Sequence, residues 1–208
     1  MKADKFRWAP IIGTVLLSFV LWFITFYLTR GIFWVKISFS AAALAGLSLV
    51  LFPHLKERLR FFPGAIWLGL ASAVVLYFIF WLGKVVCVAI FPFADSQIGG
   101  IYGIDKGTDT WVIALLLFFV TAPCEEIYWR GCLQENLMKR FGKWQGWLAA
   151  TAVYALVHIW SFNFMLIGAA AVAGAFWGGM FCYFGNLLPV IISHAVWSSV
   201  IFAIFPVP

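Results

Sequence analysis

The chain of 208 residues is 64% hydrophobic and only 11% charged, and its mean hydropathy is +1.01. This composition excludes an ordinary soluble domain and predicts an integral membrane protein. The net charge of +6 does not indicate a nucleic acid partner, because the basic residues cluster in short connections between apolar runs, as membrane topology demands. We expect membrane lipid as a partner, and no nucleic acid.

Seven apolar segments follow one another along the chain. Most have roughly the 20 residues that a helix needs to cross about 30 Å of hydrocarbon. The fifth is short, and the third is long enough to be tilted or broken into a helix and an interfacial piece. The sequence predicts an all-α, polytopic membrane helix bundle of about seven transmembrane helices, in a single membrane domain over residues 1–208. The segments are 9–29, 33–53, 64–93, 111–137, 147–161, 164–184 and 187–206.

The connections between these segments predict the orientation. The stretches "MKADKFR", "HLKERLR" and "MKRFGK" are basic, whereas "FADSQIGGIYGIDKGTD" is acidic on balance. Basic connections face the cytoplasm, and the three basic stretches fall on one side of a bundle with seven crossings. We therefore expect a cytoplasmic N-terminus. As a separate expectation, the membrane is that of a bacterial or archaeal cell.

The fourth segment contains Glu125, Glu126 and Arg130, although a charged side chain in a spanning helix costs roughly 2.5 to 3.5 kcal/mol. Glu126 and Arg130 are four residues apart and can pair on one helix face, which leaves Glu125 about 100° around the axis. Pro123 predicts a kink or a restart of the helix, with Thr121 as a candidate cap. The alternative is a salt-bridged interfacial turn at the cytoplasmic end of the helix.

Two histidines, His158 and His194, lie inside later apolar segments, and each has a hydroxyl four residues away, on Tyr154 and Ser198. A rise of about 1.5 Å per residue places Glu125, His194 and His158 roughly 9, 10 and 17 Å from the cytoplasmic face. These depths allow the three groups to converge. We expect a chamber formed mainly by the fourth, fifth and seventh segments and open toward the cytoplasmic side.

Three motifs in this region resemble those of a known family. The stretch "EEIYWR" fits EExxxR, "YALVH" fits aromatic-xxx-His, and "HAVWS" approximates HxxxN. Together they resemble the CPBP intramembrane proteases, which include the type II CAAX prenyl endopeptidases and the bacteriocin-processing and immunity-associated (Abi-like) membrane proteins. EExxxR alone is a weak signal, but three motifs in the family's order form a specific set. The resemblance covers residues 111–206, the expected catalytic core.

The resemblance implies an intramembrane endopeptidase that acts on a membrane-associated peptide or a prenylated (CAAX-type) protein. It implies that Glu125 and His158 activate the attacking water. It also implies that His194 and the residue at the position of Ser198 face the developing oxyanion. This chemistry is sensible in itself, because peptide hydrolysis needs a base for water and a donor for the oxyanion.

The resemblance further implies that Glu126 and Arg130 hold Glu125 in place. Two departures stand out. Tyr154 replaces the usual phenylalanine, which is a mild change, and Ser198 stands where the family usually has asparagine. A serine hydroxyl can donate one hydrogen bond but is shorter than an amide, so the second departure puts the oxyanion donor in doubt.

Other functions are compatible with the same residues. Glu125, His158 and His194 are also a zinc ligand set with an open position for water, although they come from three segments with no HExxH turn. No cofactor is favoured, and zinc is the alternative. Buried acids and histidines also build proton-coupled transporters. A non-catalytic membrane scaffold or bacteriocin immunity protein, with a site weakened by Ser198, is the third alternative.

Overall fold

The computed structural model describes residues 8–104 and 107–207, and all regular secondary structure in them is helical. The all-α prediction is confirmed. The basic stretch before Trp8, and Asp105 and Lys106 of the acidic connection, lie outside the described residues. The helices are α1 (Trp8–Phe26), α2 (Phe33–Leu51), α3 (Gly64–Ile90), α4 (Ala94–Tyr102), α5 (Thr110–Phe141), α6 (Lys143–Val157), α7 (Phe164–Phe184) and α8 (Leu188–Ser199).

Shorter helical turns extend or link these helices. A 3₁₀ turn, Pro53–Arg58, lies between α2 and α3, and a second, His158–Ser161, continues α6. A π-helical turn, Val200–Ile204, continues α8.

Within the described residues, five helices are long and apolar enough to cross a membrane: α1, α2, α3, α5 and α7. The prediction of a polytopic membrane bundle is confirmed. The count of seven stays a prediction, because α6 has 15 residues and the apolar helix Leu188–Ile204 is also shorter than these five.

The third apolar segment is broken, as its length suggested. Helix α3 ends at Ile90, Phe91 is extended with φ −113° and ψ 114°, and α4 begins at Ala94. Pro92 explains the break, because a proline disfavours helical dihedral angles in the residue before it. Helix α4 has nine residues, too few to cross the bilayer, and therefore lies at one end of the bundle.

Helix α5 runs through Pro123 without restarting. Two π-helical stretches, Leu117–Thr121 and Ile127–Gln134, flank the proline. Pro123 has no N–H for the carbonyl four residues earlier, and wider turns accommodate the lost bond. Thr121 is helical (φ −64°, ψ −56°) and makes no capping bond. Its hydroxyl instead lies 2.8 Å from that of Ser38 on α2, so the expectation of a cap was wrong.

A tight turn places α7 and α8 side by side. Gly185 ends α7 with φ 61°, a left-handed conformation that favours glycine. The side chain of Asn186 then accepts a hydrogen bond from the amide of Leu188 at 2.8 Å. Helix α8 also packs along α3, where Gly69 leaves room for Ile192: a Cβ at Gly69 would lie 2.5 Å from that side chain. The turn therefore fixes α8 between α3 and α7.

The buried apolar residues form two clusters. One cluster joins α1, α2, α5 and α6, and the other joins α3, α7 and α8. Several large apolar side chains of α3, among them Trp67 and Phe78, are exposed, which fits contact with lipid. The candidate site lies between the two clusters and draws on both.

Candidate active site

A cavity of about 420 Å³ opens between the helices, and most of its walls are apolar side chains. The structure brings four of the six predicted site residues to this cavity. Glu126 and Arg130 lie behind the wall, buried in protein. The four predicted residues that line the cavity are Glu125, His158, His194 and Ser198.

Glu126 is the centre of the buried polar network. Its Oε1 accepts hydrogen bonds from Arg130 Nη1 at 2.8 Å and from His194 Nδ1 at 2.6 Å. An ionised carboxylate can only accept, so Nδ1 of His194 carries the proton. Glu126 and Arg130 are both almost fully buried. Charge-assisted hydrogen bonds are strong in such surroundings, and removing one partner is costly. The predicted i, i+4 pair is therefore present.

Arg130 is enclosed on several sides. Its guanidinium carbon lies 4.8 Å from the ring centre of Tyr154 and 5.5 Å from that of Trp177. Its Nη2 donates to the carbonyl of Gly174 at 3.4 Å. One turn later on each helix, Gln134 donates to the carbonyl of Gly178 at 2.8 Å. Helices α5 and α7 are thus joined by two parallel contacts behind the cavity.

Glu125 has a different environment from Glu126. It lines the cavity, and its Oε2 accepts a hydrogen bond from the hydroxyl of Tyr154 at 3.1 Å. The tyrosine hydroxyl was predicted to stand beside His158, and its replacement of phenylalanine was considered mild. Tyr154 does stand beside His158, with ring centres 5.2 Å apart. Its hydroxyl nevertheless bonds to Glu125, and that bond gives the replacement a direct effect on the carboxylate.

His158 has protein partners on both ring nitrogens. Its Nδ1 lies 2.8 Å from the backbone carbonyl oxygen of Tyr154, which can only accept, so Nδ1 carries the proton. Its Nε2 accepts from the indole N–H of Trp22 at 3.3 Å. No sequence pattern indicates this contact, because Trp22 is one of 12 tryptophans and lies 136 positions away in helix α1.

His194 and Ser198 present free polar atoms to the cavity. The imidazole of His194 stacks on Trp177, with ring centres 3.7 Å apart and planes at 20°. Because Nδ1 is bonded to Glu126, Nε2 is the nitrogen that remains for a ligand. The hydroxyl of Ser198 forms no hydrogen bond with residues 8–104 or 107–207. Both groups can therefore interact with a bound substrate.

The alternative prediction was a salt-bridged interfacial turn over the stretch "EEIYWRGCLQENLMKR". It is wrong for the first half of this stretch and correct for the second half. Glu126 and Arg130 are buried. Nearly two turns before the end of α5, Glu135 instead pairs with Arg58 at 2.9 Å and with Lys139 at 2.7 Å, and these two partners are 40% and 49% exposed. The interfacial cluster is therefore formed around Glu135.

The cavity opens away from the basic connections. Its wall includes Phe26, Tyr102 and Met165, which lie at the end of the bundle that holds α4. The connections 52–63 and 185–187, at the basic end, contribute no lining residue. The expectation that the chamber opens on the basic side was wrong. The reason is that α5 spans 32 residues, so Glu125 lies near its middle.

The alternative zinc set does not come together in the structure. Among the described residues, no group of three or more histidine, cysteine, aspartate or glutamate side chains is arranged to hold a metal ion. Nδ1 of each histidine is bonded to an oxygen, of Glu126 and of the Tyr154 backbone, and Trp22 donates to Nε2 of His158. Zinc binding by Glu125, His158 and His194 stays an alternative.

Comparison with known proteins identifies the region that carries this geometry. Residues 107–200 match the family model described as type II CAAX prenyl endopeptidase Rce1-like. No curated protein and no solved structure matches the chain. The matched region begins just before α5, ends just after α8 and contains all six predicted site residues. Residues 107–200 therefore match the model of the Rce1-like type II CAAX prenyl endopeptidases, which confirms the resemblance to the CPBP intramembrane proteases.

Proposed function

We propose that this protein is an intramembrane endopeptidase that cleaves a prenylated, CAAX-type peptide by means of a glutamate-activated water. One observation carries the proposal: a carboxylate with a single protein donor, Glu125, lines an apolar cavity inside a membrane bundle. Apolar walls with a few convergent polar groups are typical of a ligand site. They also suit a lipid-modified chain better than a charged one.

Glu125 acts as the general base. It takes a proton from a water molecule while the water oxygen attacks the scissile carbonyl carbon. The tetrahedral intermediate then collapses, the C–N bond breaks, and Glu125 returns the proton to the leaving amine. Tyr154 keeps the carboxylate turned toward the cavity by its hydrogen bond to Oε2. The other oxygen of Glu125 is left to accept from the water.

His194 and Ser198 stabilise the oxyanion. A neutral His194 with its proton on Nδ1 has no proton on Nε2, so donation into the cavity requires the imidazolium. Nδ1 of His194 lies 2.6 Å from the buried carboxylate of Glu126, the same arrangement as that of histidine and aspartate in a catalytic triad. Nε2–H and the hydroxyl of Ser198 then both donate to the oxyanion.

His158 assists in holding the water. Its Nδ1 proton, fixed by the carbonyl of Tyr154, leaves Nε2 as an acceptor. A water that donates to Nε2 replaces or shares the bond from Trp22, which is the longer of the two bonds of this imidazole at 3.3 Å. Trp22 of helix α1 thus competes with the water for the acceptor nitrogen of His158.

The proposal is tested with purified protein and a panel of quenched fluorogenic peptides that includes a farnesylated C-a-a-X peptide. Wild type and Glu125→Gln are compared with and without a strong chelator. We expect cleavage by wild type only, unaffected by the chelator. Loss of cleavage on chelation would support the zinc alternative instead. No cleavage of any panel member by wild type would contradict the proposal and favour the scaffold, immunity or transporter alternatives.

A further inference from the structure

A second polar site lies in the wall of the cavity, apart from the glutamate and histidines. Lys84 of α3 lines the cavity, and its ammonium donates to the carbonyl of Val207 at 3.3 Å. The hydroxyl of Tyr102, also in the wall, accepts from the amide of Val207 at 3.3 Å. A lysine, a tyrosine and a backbone segment therefore meet at the end of the cavity near α4.

Within residues 8–104 and 107–207, the ammonium of Lys84 has donors to spare. An ammonium has three donors, and the hydrogen bond to Val207 uses one of them. None of the ion pairs formed by residues 8–104 and 107–207 involves Lys84. A lysine near the end of a spanning helix can extend to the interface. Here, however, its acceptor lies beside other cavity residues, so the ammonium is directed to the cavity.

The distance from this site to the proposed oxyanion donors suits a short peptide. Six residues separate Ser198 from Ile204, the last residue of the π-helical turn that continues α8, which is a rise of about 9 Å at the pitch of an α-helix. Val207 follows three residues later. Three residues of extended peptide span about 10 Å. A C-a-a-X sequence ends three residues after its cysteine, so its terminal carboxylate can contact one wall of a cavity while the bond after the cysteine faces another, and Lys84 and Glu125 line the same cavity.

We propose that Lys84 binds the free C-terminal carboxylate of the substrate and so sets which peptide bond reaches Glu125. The assignment rests on the proposed endopeptidase function. An ammonium with spare donors in an apolar wall favours an anion, and a terminal carboxylate is the anion that any short C-terminal peptide carries. Tyr102 holds the Val207 segment against which the ammonium is fixed.

The test measures binding without requiring turnover. A labelled farnesylated C-a-a-X peptide, as the free acid and as the C-terminal amide, is titrated onto the Glu125→Gln protein in zwitterionic nanodiscs. We expect the acid to bind about tenfold or more tightly than the amide, because a charge-assisted hydrogen bond is lost in the amide. Adding Lys84→Met to the same protein removes the preference, and adding Lys84→Arg retains most of it.

Several results would overturn the assignment. One is equal affinity of the Glu125→Gln protein, with Lys84 intact, for the acid and the amide peptide. Another is no measurable binding of either peptide. A third is a preference for the acid that survives Lys84→Met. An anionic lipid headgroup is a second anion that Lys84 could bind, and nanodiscs with anionic lipid test for it. If anionic lipid weakens binding of the acid peptide only when Lys84 is present, the site belongs to a lipid headgroup. A retained acid preference in a protein that cleaves nothing supports the Lys84 assignment while the proposed function fails.

Discussion

Two adjacent glutamates have separate environments because neighbouring helix positions face different directions. Glu126 is turned inward to Arg130 and His194, whereas Glu125 lines the cavity. The first pair follows from spacing alone, since i and i+4 share a helix face. The bonds from Tyr154 to Glu125 and from Trp22 to His158 cross between helices, over 29 and 136 positions. No local pattern in the sequence encodes such contacts.

Tyr154→Phe tests the donor on Glu125. The substitution removes the hydroxyl and keeps the ring that contacts Arg130. We expect kcat to fall about five- to tenfold, consistent with one hydrogen bond of about 1 kcal/mol, and the thermal midpoint to stay close to that of wild type. Steady-state kinetics over a range of pH measures the effect. An unchanged kcat at every pH would show that this hydroxyl does not position the carboxylate.

Glu126→Gln tests the buried network. Loss of the carboxylate leaves the buried Arg130 without its charge partner, and we expect destabilisation of about 3 to 5 kcal/mol. Glu135→Gln is the matched control in the same helix, because its partners Arg58 and Lys139 are 40% and 49% exposed. Exposed pairs contribute about 0 to 1 kcal/mol. Equal thermal midpoints for the two variants would contradict this difference.

At the scale of the helices, Pro123 and the contact between α5 and α7 shape the site. Pro123 predicts a kink or a restart of the helix. In the structure, π-helical turns on both sides of the proline replace a new helix start. The sequence does not distinguish π-helical turns from a new helix start, because both accommodate the backbone hydrogen bond that Pro123 cannot donate. Close packing against α7 then holds the helix in place.

Gly178→Ala tests that packing. A Cβ at Gly178 would lie 2.6 Å from Trp147 and 2.7 Å from Gln134, whereas a Cβ at the neighbouring Gly179 would meet Trp147 at an ordinary 3.7 Å. We expect Gly178→Ala to destabilise the protein by about 1 to 3 kcal/mol through overpacking. Gly179→Ala is expected to be neutral or slightly stabilising, since alanine favours helix. Thermal unfolding in detergent compares the two, and similar midpoints would contradict the close contact.

At the scale of the whole molecule, the sequence predicted a membrane bundle and its apolar segments but misplaced the mouth of the cavity. The depth of Glu125 assumes that α5 crosses a core of about 30 Å counted from Trp111, whereas α5 continues 16 residues beyond Glu125, to Phe141. The error moved Glu125 toward the basic face. The cavity opens at the other face, which is the non-cytoplasmic one if the basic connections lie in the cytoplasm.

Cysteine labelling tests this orientation in cells. In a background without the four native cysteines, we expect Thr29→Cys to react with an impermeant maleimide from outside. Glu57→Cys, in the basic turn after α2, is expected to react only after permeabilisation, because basic connections stay in the cytoplasm. Both positions are exposed. The reverse labelling pattern would place the mouth of the cavity in the cytoplasm.

The most direct test of the proposed chemistry is turnover of a farnesylated C-a-a-X peptide by wild type, Glu125→Gln and Glu135→Gln in one membrane preparation. Both variants neutralise a buried glutamate of α5, but only Glu125 lines the cavity. We expect Glu125→Gln to be slower by about 10² to 10⁴-fold, the usual contribution of a general base, while Glu135→Gln keeps most of the activity. Cleavage by Glu125→Gln at the wild-type rate would contradict the assignment of Glu125 as the base.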